Sequence, residues 1–304
     1  IAFYEHLRKY GSKRQKKNTH LLVGPWHHTL ENTLNYDFGE AAAYDLKELE
    51  NRFLDKHLKE ESQHSFSQVQ VFVLGENHWR SFSDWPVPEA KSEKLFLHEN
   101  NLLSFEEPRS ENTYSSFQYD PANPVPTVGG ANNGPAIKHL PMGGGPYNQF
   151  EVCKRKDVAI FKTQPIQQKL TLIGPLEMVF FIKTSALDTD FTAKLMLVNQ
   201  DGFDWMHLSD GIVRTRYRTG RNTPTFLEAG KATELQLDLW NIAVTVLPGY
   251  SLALAISSSN FPRFNRNLNT GGDNECDDHW IVAEQKILHN SKYQSYLKIQ
   301  VIDN

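Results

Sequence analysis

The stretch Val69-Gln70-Val71-Phe72-Val73-Leu74 decides the fold. Its apolar residues recur in the two-residue rhythm of a half-buried strand, and Gly75-Glu76-Asn77 supplies a turn directly after it. The same grammar then repeats to the end of the chain. Lys94 to His98 reads as a strand closed by the turn Glu99-Asn100-Asn101, and Asp157 to Lys162, Leu170 to Ile173, Glu177 to Thr184 and Thr192 to Asn199 follow. Leu235 to Leu239, Ser251 to Ser257 and Tyr296 to Val301 complete the series, and no long amphipathic helix is expected after residue 64. Short strands punctuated by turns predict an antiparallel sandwich or barrel, here a jelly roll with long insertions. One interruption stands out. Phe117 to Phe150 carries six prolines and six glycines, too many for a hairpin, and a loop of that length suits the covering of a site.

Upstream of residue 64 the pattern is different. Ile1 to Lys9 places Ile1, Phe3, Tyr4 and Leu7 near helical spacing. Gly11 to Asn18 is basic; it is expected to be a solvated loop, with a phosphate or acidic-surface contact as the functional alternative. Thr19 to Val23 reads as a buried strand ended by Gly24-Pro25, and Glu40 to Lys59 as a helix with Leu46, Leu49, Phe53, Leu54 and Leu58 as its apolar stripe. Helix, loop and buried strand are the units of an α/β sheet, whose chemistry gathers past the C-terminal ends of its strands. Trp26, His27 and His28 occupy that place. The expected organisation is an α/β segment over residues 1–63 and a β-sandwich over residues 64–304, mainly β overall. A chain that opens inside a helix is expected to be the C-terminal part of something longer.

Composition narrows the function. Among 304 residues, 32 Lys and Arg face 36 Asp and Glu, a net charge of -4, which gives no electrostatic footprint for nucleic acid. Apolar runs such as Met178 to Ile182 are far too short to span a membrane as a helix. Cys153 and Cys276 exclude a disulfide scaffold; two reduced thiols are expected rather than one bridge, which favours the cytoplasm.

Few constellations carry chemistry. The chain has no Gly-x-Ser-x-Gly nucleophile elbow. In α/β-hydrolases the order is serine, acid, histidine, and only 27 residues precede His28. A catalytic His28 therefore needs its nucleophile from outside this sequence, and on the residues alone a structural histidine is the blander reading. Asp273 to His279 gathers four carboxylates, a thiol and an imidazole, but at the spacing of neither an EF-hand nor a zinc site, so a solvated loop is expected. His27 and His28 are adjacent, and their side chains diverge too far to share a metal. Trp79, Trp85, Trp205 and Trp240 are expected in the core rather than on a sugar-binding platform.

Gly24-Pro25-Trp26-His27-His28 resembles the Gly-Pro-Trp-x-His motif of the CocE/NonD hydrolases, the family of cocaine esterase, X-Pro dipeptidyl-peptidase and α-amino-acid ester hydrolase. Asp37 to Gly39, Arg52 to Lys59, Val71 to Arg80 with Trp85-Pro86, and Tyr119 to Gly130 resemble later segments of that family in the same order. So do Asp188 to Lys194, Asp210 to Arg214 and Ser257 to Arg263. The resemblance implies the end of an α/β-hydrolase catalytic domain followed by a C-terminal jelly roll. It implies His28 as the triad histidine, Trp26 as an acyl-pocket or packing residue, and His27 as a bystander. The nucleophilic serine, the oxyanion-hole tyrosine and the triad aspartate would all lie upstream of Ile1. Asp37 follows the histidine and is a poor substitute for that aspartate. Asn148 stands where the family has aspartate in its Gly-Pro-x-Asp-Gln element, which removes an ionic role there.

The resemblance thus implies the C-terminal part of a serine hydrolase of ester, amide or peptide bonds, with the missing catalytic portion as its partner. It implies no cofactor, metal, nucleic acid or membrane partner, and it is compatible with a homo-oligomer. The alternative is a non-catalytic β-sandwich that binds a ligand.

Overall fold

The computed structural model describes residues 1–27, 35–59, 64–131, 144–220 and 222–303. Two helices open the chain, α1 (Ala2–Tyr10) and α2 (Lys13–Asn18), followed by strand β1 (Leu21–Val23) and helix α3 (Leu46–Leu58). Strands β2 (Val69–Val73), β3 (His78–Phe82), β4 (Lys91–Leu97), β5 (Leu103–Ser104) and β6 (Tyr114–Tyr119) precede a single helical turn, α4 (Phe150–Cys153). Then come β7 (Ala159–Lys162), β8 (Leu170–Thr184), β9 (Asp190–Val198), β10 (Trp205–Arg214), β11 (Thr233–Val246), β12 (Ser251–Ser257), β13 (Ala283–Leu288) and β14 (Tyr296–Ile302).

The main body is a sandwich. One sheet runs β10-β9-β12-β7; the other runs β5-β4-β14-β8-β13-β6, with β11 paired to β8 along its length. All of these pairings are antiparallel. Their inner faces enclose a core that includes Phe161, Phe180, Phe191, Leu195, Leu235, Leu254 and Ile287. Phe180 and Phe191, from opposite sheets, meet edge to face at 5.7 Å.

Local chemistry explains where the observed elements depart from the sequence reading. The basic connection is a short helix because Ser12 and Gln15 form a reciprocal capping box: Gln15 N–H donates to Ser12 Oγ, and Ser12 N–H donates to Gln15 Oε1. The helix expected from Glu40 starts later. Glu40–Ala42 is a 3₁₀ turn, Ala43 is extended, and the carboxylate of Asp45 caps α3 by accepting from Glu48 N–H at 2.8 Å. The two strands expected on either side of Gly174-Pro175 are one, β8. A proline is tolerated inside it because both flanking strands break register nearby, β11 between Asp238 and Asn241 and β14 between Lys298 and Val301. Cys153 and Cys276 are both free thiols.

A third, small sheet joins the two parts of the chain. β1 pairs in parallel with β2, Leu22 opposite Gln70, and β3 completes it. Residue 64 therefore falls between two strands of one sheet. Tyr4, Val69, Val71, Val73, Trp85 and Val87 form its core, against Ile173 and Ile302 of the sandwich. Asp84 fastens α1 beneath it, accepting from Tyr4 Oη at 3.1 Å and from Arg8 Nη2 at 2.8 Å. At the end of β2 the chain touches β11 directly. Leu74 N–H donates to Ala243 O at 3.0 Å, and Thr245 N–H donates to Leu74 O at 2.8 Å.

Gly75 follows with φ +81°, and a Cβ there would overlap the carbonyl oxygen of Thr245. Gly75→Ala is therefore expected to destabilise the protein by more than the ~1 kcal/mol typical of a glycine position at positive φ. Thermal unfolding checks this; a melting temperature equal to wild type would show that the contact between β2 and β11 is not a constraint.

Candidate functional site

A cleft of about 600 Å³ opens where the small sheet meets the sandwich. One wall is Gly24, Pro25, Trp26 and His27, just past the C-terminal end of β1. A second wall is Trp240 and Asn241 of β11, and the floor is His207 to Asp210 of β10. Gly130, Gly144, Gly145 and Pro146 close one side. His28 lies outside the described residues, as does the middle of the proline- and glycine-rich segment, residues 132–143.

The first wall is built around aromatic rings. Trp26 is half-buried; its indole N–H donates to Ala42 O at 2.7 Å, and its ring lies 5.6 Å from Trp79 and 6.0 Å from Tyr44. Trp79 holds the same 3₁₀ turn by donating to Ala41 O at 2.8 Å. The Trp26 ring folds back over Gly24, where any side chain would overlap it. Glycine and tryptophan two residues apart are thus a single packing unit. Trp26 both packs and lends an edge to the cleft, and His27 lines the cleft beside it.

The glycine-rich side is held by its described base. Gly130 and Gly145 exchange two backbone hydrogen bonds, 2.7 and 2.9 Å. Asn148 Oδ1 accepts from the N–H groups of Phe150 and Trp205, both at 3.0 Å, while its Nδ2 donates to Phe203 O at 2.9 Å. An aspartate would lack that last donor, so an amide suits this position better than a carboxylate. Gln149 anchors the base from beneath: its Nε2 donates to Val128 O, and its Oε1 accepts from Lys194 Nζ at 2.6 Å.

Under the floor runs a buried polar network that unites the later sequence motifs. Asp210 receives Asn260 Nδ2 at 2.8 Å and a short contact from Arg263 Nη1. Thr127 Oγ1 accepts from Arg263 N–H at 3.2 Å, tying the network back to the loop. His207 is buried above Asp210, 3.7 Å away, and its Nε2 has no hydrogen-bond partner among the described residues. Burial would push the Asp210 carboxyl up, but His207 and Arg263 together hold it well below the usual carboxylate range. Burial pushes His207 down by more than Asp210 raises it, with Lys194 and Arg263 adding to the fall, so the imidazole is neutral at pH 7.

The remaining candidates separate from this cleft. Trp85 is buried, while Trp79 and Trp205 are half-buried. Trp240 departs from the expected core position: it is 61 % exposed. No residue from Asp273 to His279 is among the cleft lining, and no group of three or more ligand side chains able to hold a metal occurs among the described residues. Sequence reasoning missed Trp240 and His207 as cleft residues.

Comparison with known proteins follows this geometry. Residues 64–298 match the model of the X-Pro dipeptidyl-peptidase C-terminal non-catalytic domain. The chain is 33 % identical to cocaine esterase of Rhodococcus sp. (strain MB1 Bresler), over 98 % of this chain and 54 % of that protein. Among solved structures it resembles an aminopeptidase from the marine sediment archaeon Thaumarchaeota archaeon, at a TM-score of 0.89 and 25 % identity over 99 % of this chain and 52 % of that one. It also resembles an α-amino acid ester hydrolase, at 0.83 and 25 % over 98 % and 52 %. The chain spans about half the length of each of these relatives.

Because His207 is driven below its ordinary 6.5 and the free imidazole of the unfolded chain is not, the unfolded state binds more protons as pH falls through that value. Stability carried by neutral His207 is present above about pH 6.5 and is lost as pH falls toward the lower folded value. Depression of Asp210 acts in the same direction below its ordinary 3.8. Melting temperature is expected to fall from pH 7.5 to pH 5, and His207→Gln to make that fall shallower. An unchanged slope would remove His207 from the account.

Proposed function

Since the chain belongs to the family of the X-Pro dipeptidyl-peptidase C-terminal non-catalytic domain, within the CocE/NonD hydrolases, we propose that it is the C-terminal part of a serine hydrolase that cleaves ester or amide bonds. The observation that carries this reading is the cleft itself. The Gly24-Pro25-Trp26-His27 wall follows the C-terminal end of β1, His28 is the next residue in the sequence, and the same cleft is lined by residues of the sandwich.

In this reading His28 is the general base. It takes the proton from a serine hydroxyl supplied by the rest of the protein, then delivers it to the leaving group as the acyl-enzyme forms, and a water repeats the cycle to release the acid. The carboxylate that orients His28 comes from outside this chain as well. Trp26 belongs to the acyl pocket and also fixes the backbone that presents His28, because its N–H and ring are both engaged with the turn at residues 41–42 and with Trp79. The sandwich contributes no proton transfer. Its buried Asp210–Arg263–Asn260 network and the Gln149–Lys194 link hold the glycine-rich side of the cleft in place. Residues 1–63 are the end of the catalytic domain and residues 64–304 the jelly roll. The ester arm is favoured over the Xaa-Pro peptide arm by the identity shared with cocaine esterase.

In the full-length protein His28→Ala is expected to lower kcat on a simple ester by ~10⁴–10⁶-fold, as for triad members in other serine hydrolases, with the melting temperature little changed. Near-normal turnover by this variant would overturn the assignment.

A further inference from the structure

The cleft wall that the sandwich supplies holds a residue that the fold takes trouble to display. Trp240 has φ +62°, a conformation that is a genuine outlier for a bulky side chain, and it is 61 % exposed. Large exposed aromatics in strained backbone are a cost to folding, and they persist where the surroundings over-determine them.

Here the surroundings do so. In β11 the buried apolar residues are Leu235, Leu237 and Leu239, and then Ile242, Val244 and Val246. The inward set changes phase by one residue, and Trp240 sits at the change. This is a β-bulge, and the register with β8 shifts between Asp238 and Asn241. Four neighbours fix it. The Asp238 carboxylate accepts from Trp240 N–H at 2.7 Å. Ser209 Oγ donates to Leu239 O at 2.5 Å. Asn241 Oδ1 accepts from Trp85 Nε1 at 3.0 Å. Gly211 leaves room where a Cβ would overlap Asp238 O. Without the bulge, alternation would place residue 240 on the outer face of an ordinary strand. With it, Trp240 lines the same cleft as Gly24 to His27.

The chemistry of the cleft says what the indole meets. Its described apolar lining comprises Trp26, Phe38, Leu74, Leu208 and Trp240. Its only described carboxylate, Asp210, is spent on Arg263 and Asn260, and Ser209 on Leu239. Such a surface favours a flat, uncharged group that can lie against an aromatic face.

We propose that Trp240 is a specificity-determining residue, a platform carried by the sandwich on which a planar apolar group of the substrate, an aromatic ring of the acyl or leaving part, is held beside the histidine motif. This rests on the hydrolase reading above and adds to it a substrate class and a residue from the domain that is not catalytic.

The test uses the full-length protein with Trp240→Ala and Trp240→Phe, and three esters: ethyl butyrate, ethyl phenylacetate and phenyl acetate. For at least one ring-bearing ester, kcat/KM is expected to fall 10-fold or more in Trp240→Ala, chiefly through KM, and to recover largely in Trp240→Phe; ethyl butyrate should change less than 3-fold. Equal loss on all three esters together with a lowered melting temperature would overturn the proposal and make Trp240 an anchor for the rest of the protein. No change on any ester would overturn it too. Calorimetric binding of the uncleaved amide N-ethylphenylacetamide separates the two readings. If the wild type cleaves no ester but binds this amide and Trp240→Ala does not, the hydrolase reading fails and the aromatic platform stands. If the wild type cleaves esters and both variants bind the amide as the wild type does, the platform fails and the hydrolase reading stands.

Discussion

Two backbone hydrogen bonds at Leu74 hold the small sheet against the sandwich, and the rest of the site depends on them. They join the end of β2 to Ala243 and Thr245 of β11. Because β2 also pairs in parallel with β1, the motif that follows β1 is fixed relative to β11 through one continuous set of backbone bonds. The bulge at Trp240 lies only a few residues from that junction. Gly75 is a side-chain concession the contact needs, since anything larger would strike Thr245. The cleft is therefore a product of backbone geometry first, with its side chains placed by that geometry.

A division of labour follows. The segment before residue 64 brings the histidine motif with Trp26 and Tyr44, and Trp79 of β3 packs with them around one short turn. The sandwich brings a rigid wall. Its charged residues near the cleft are paired beneath the surface, Asp210 with Arg263 and Lys194 with Gln149, so they stiffen the site without presenting charge to it. Sites carried on strands with locked neighbours are more accurately shaped than sites on free loops. A domain without catalytic groups can in this way still decide what a catalytic neighbour accepts.

Much of this was legible in the sequence. Alternation and short apolar runs located most strands of the sandwich; Ser251–Ser257, buried along its whole length, reads as such a run and has the bounds expected of it. The short strands His78–Phe82, Tyr114–Tyr119 and Ala283–Leu288 were not anticipated, since polar residues such as His78, Gln118 and Lys286 blur their rhythm. The 10-residue β10 was missed because it buries the polar residues His207, Ser209 and Asp210, which read as surface. The same polarity hid the floor of the cleft. Trp240 had a readable signal, the phase change between Leu239 and Ile242, which tryptophan's usual place in cores masked. The capping box at Ser12 and Gln15 was equally present in the sequence and was outweighed by the run of basic residues.

The sandwich is proposed to supply one wall of a cleft beside His28, the histidine proposed to be catalytic. The most direct measurement is a crystal structure of the full-length protein after reaction with a benzyl-bearing fluorophosphonate. The expected result is a phosphonylated serine with the His28 imidazole within hydrogen-bond reach of the adduct and the benzyl ring against the indole of Trp240. An adduct distant from His28, or a cleft between Gly24–His27 and Trp240 filled by another part of the protein, would contradict it.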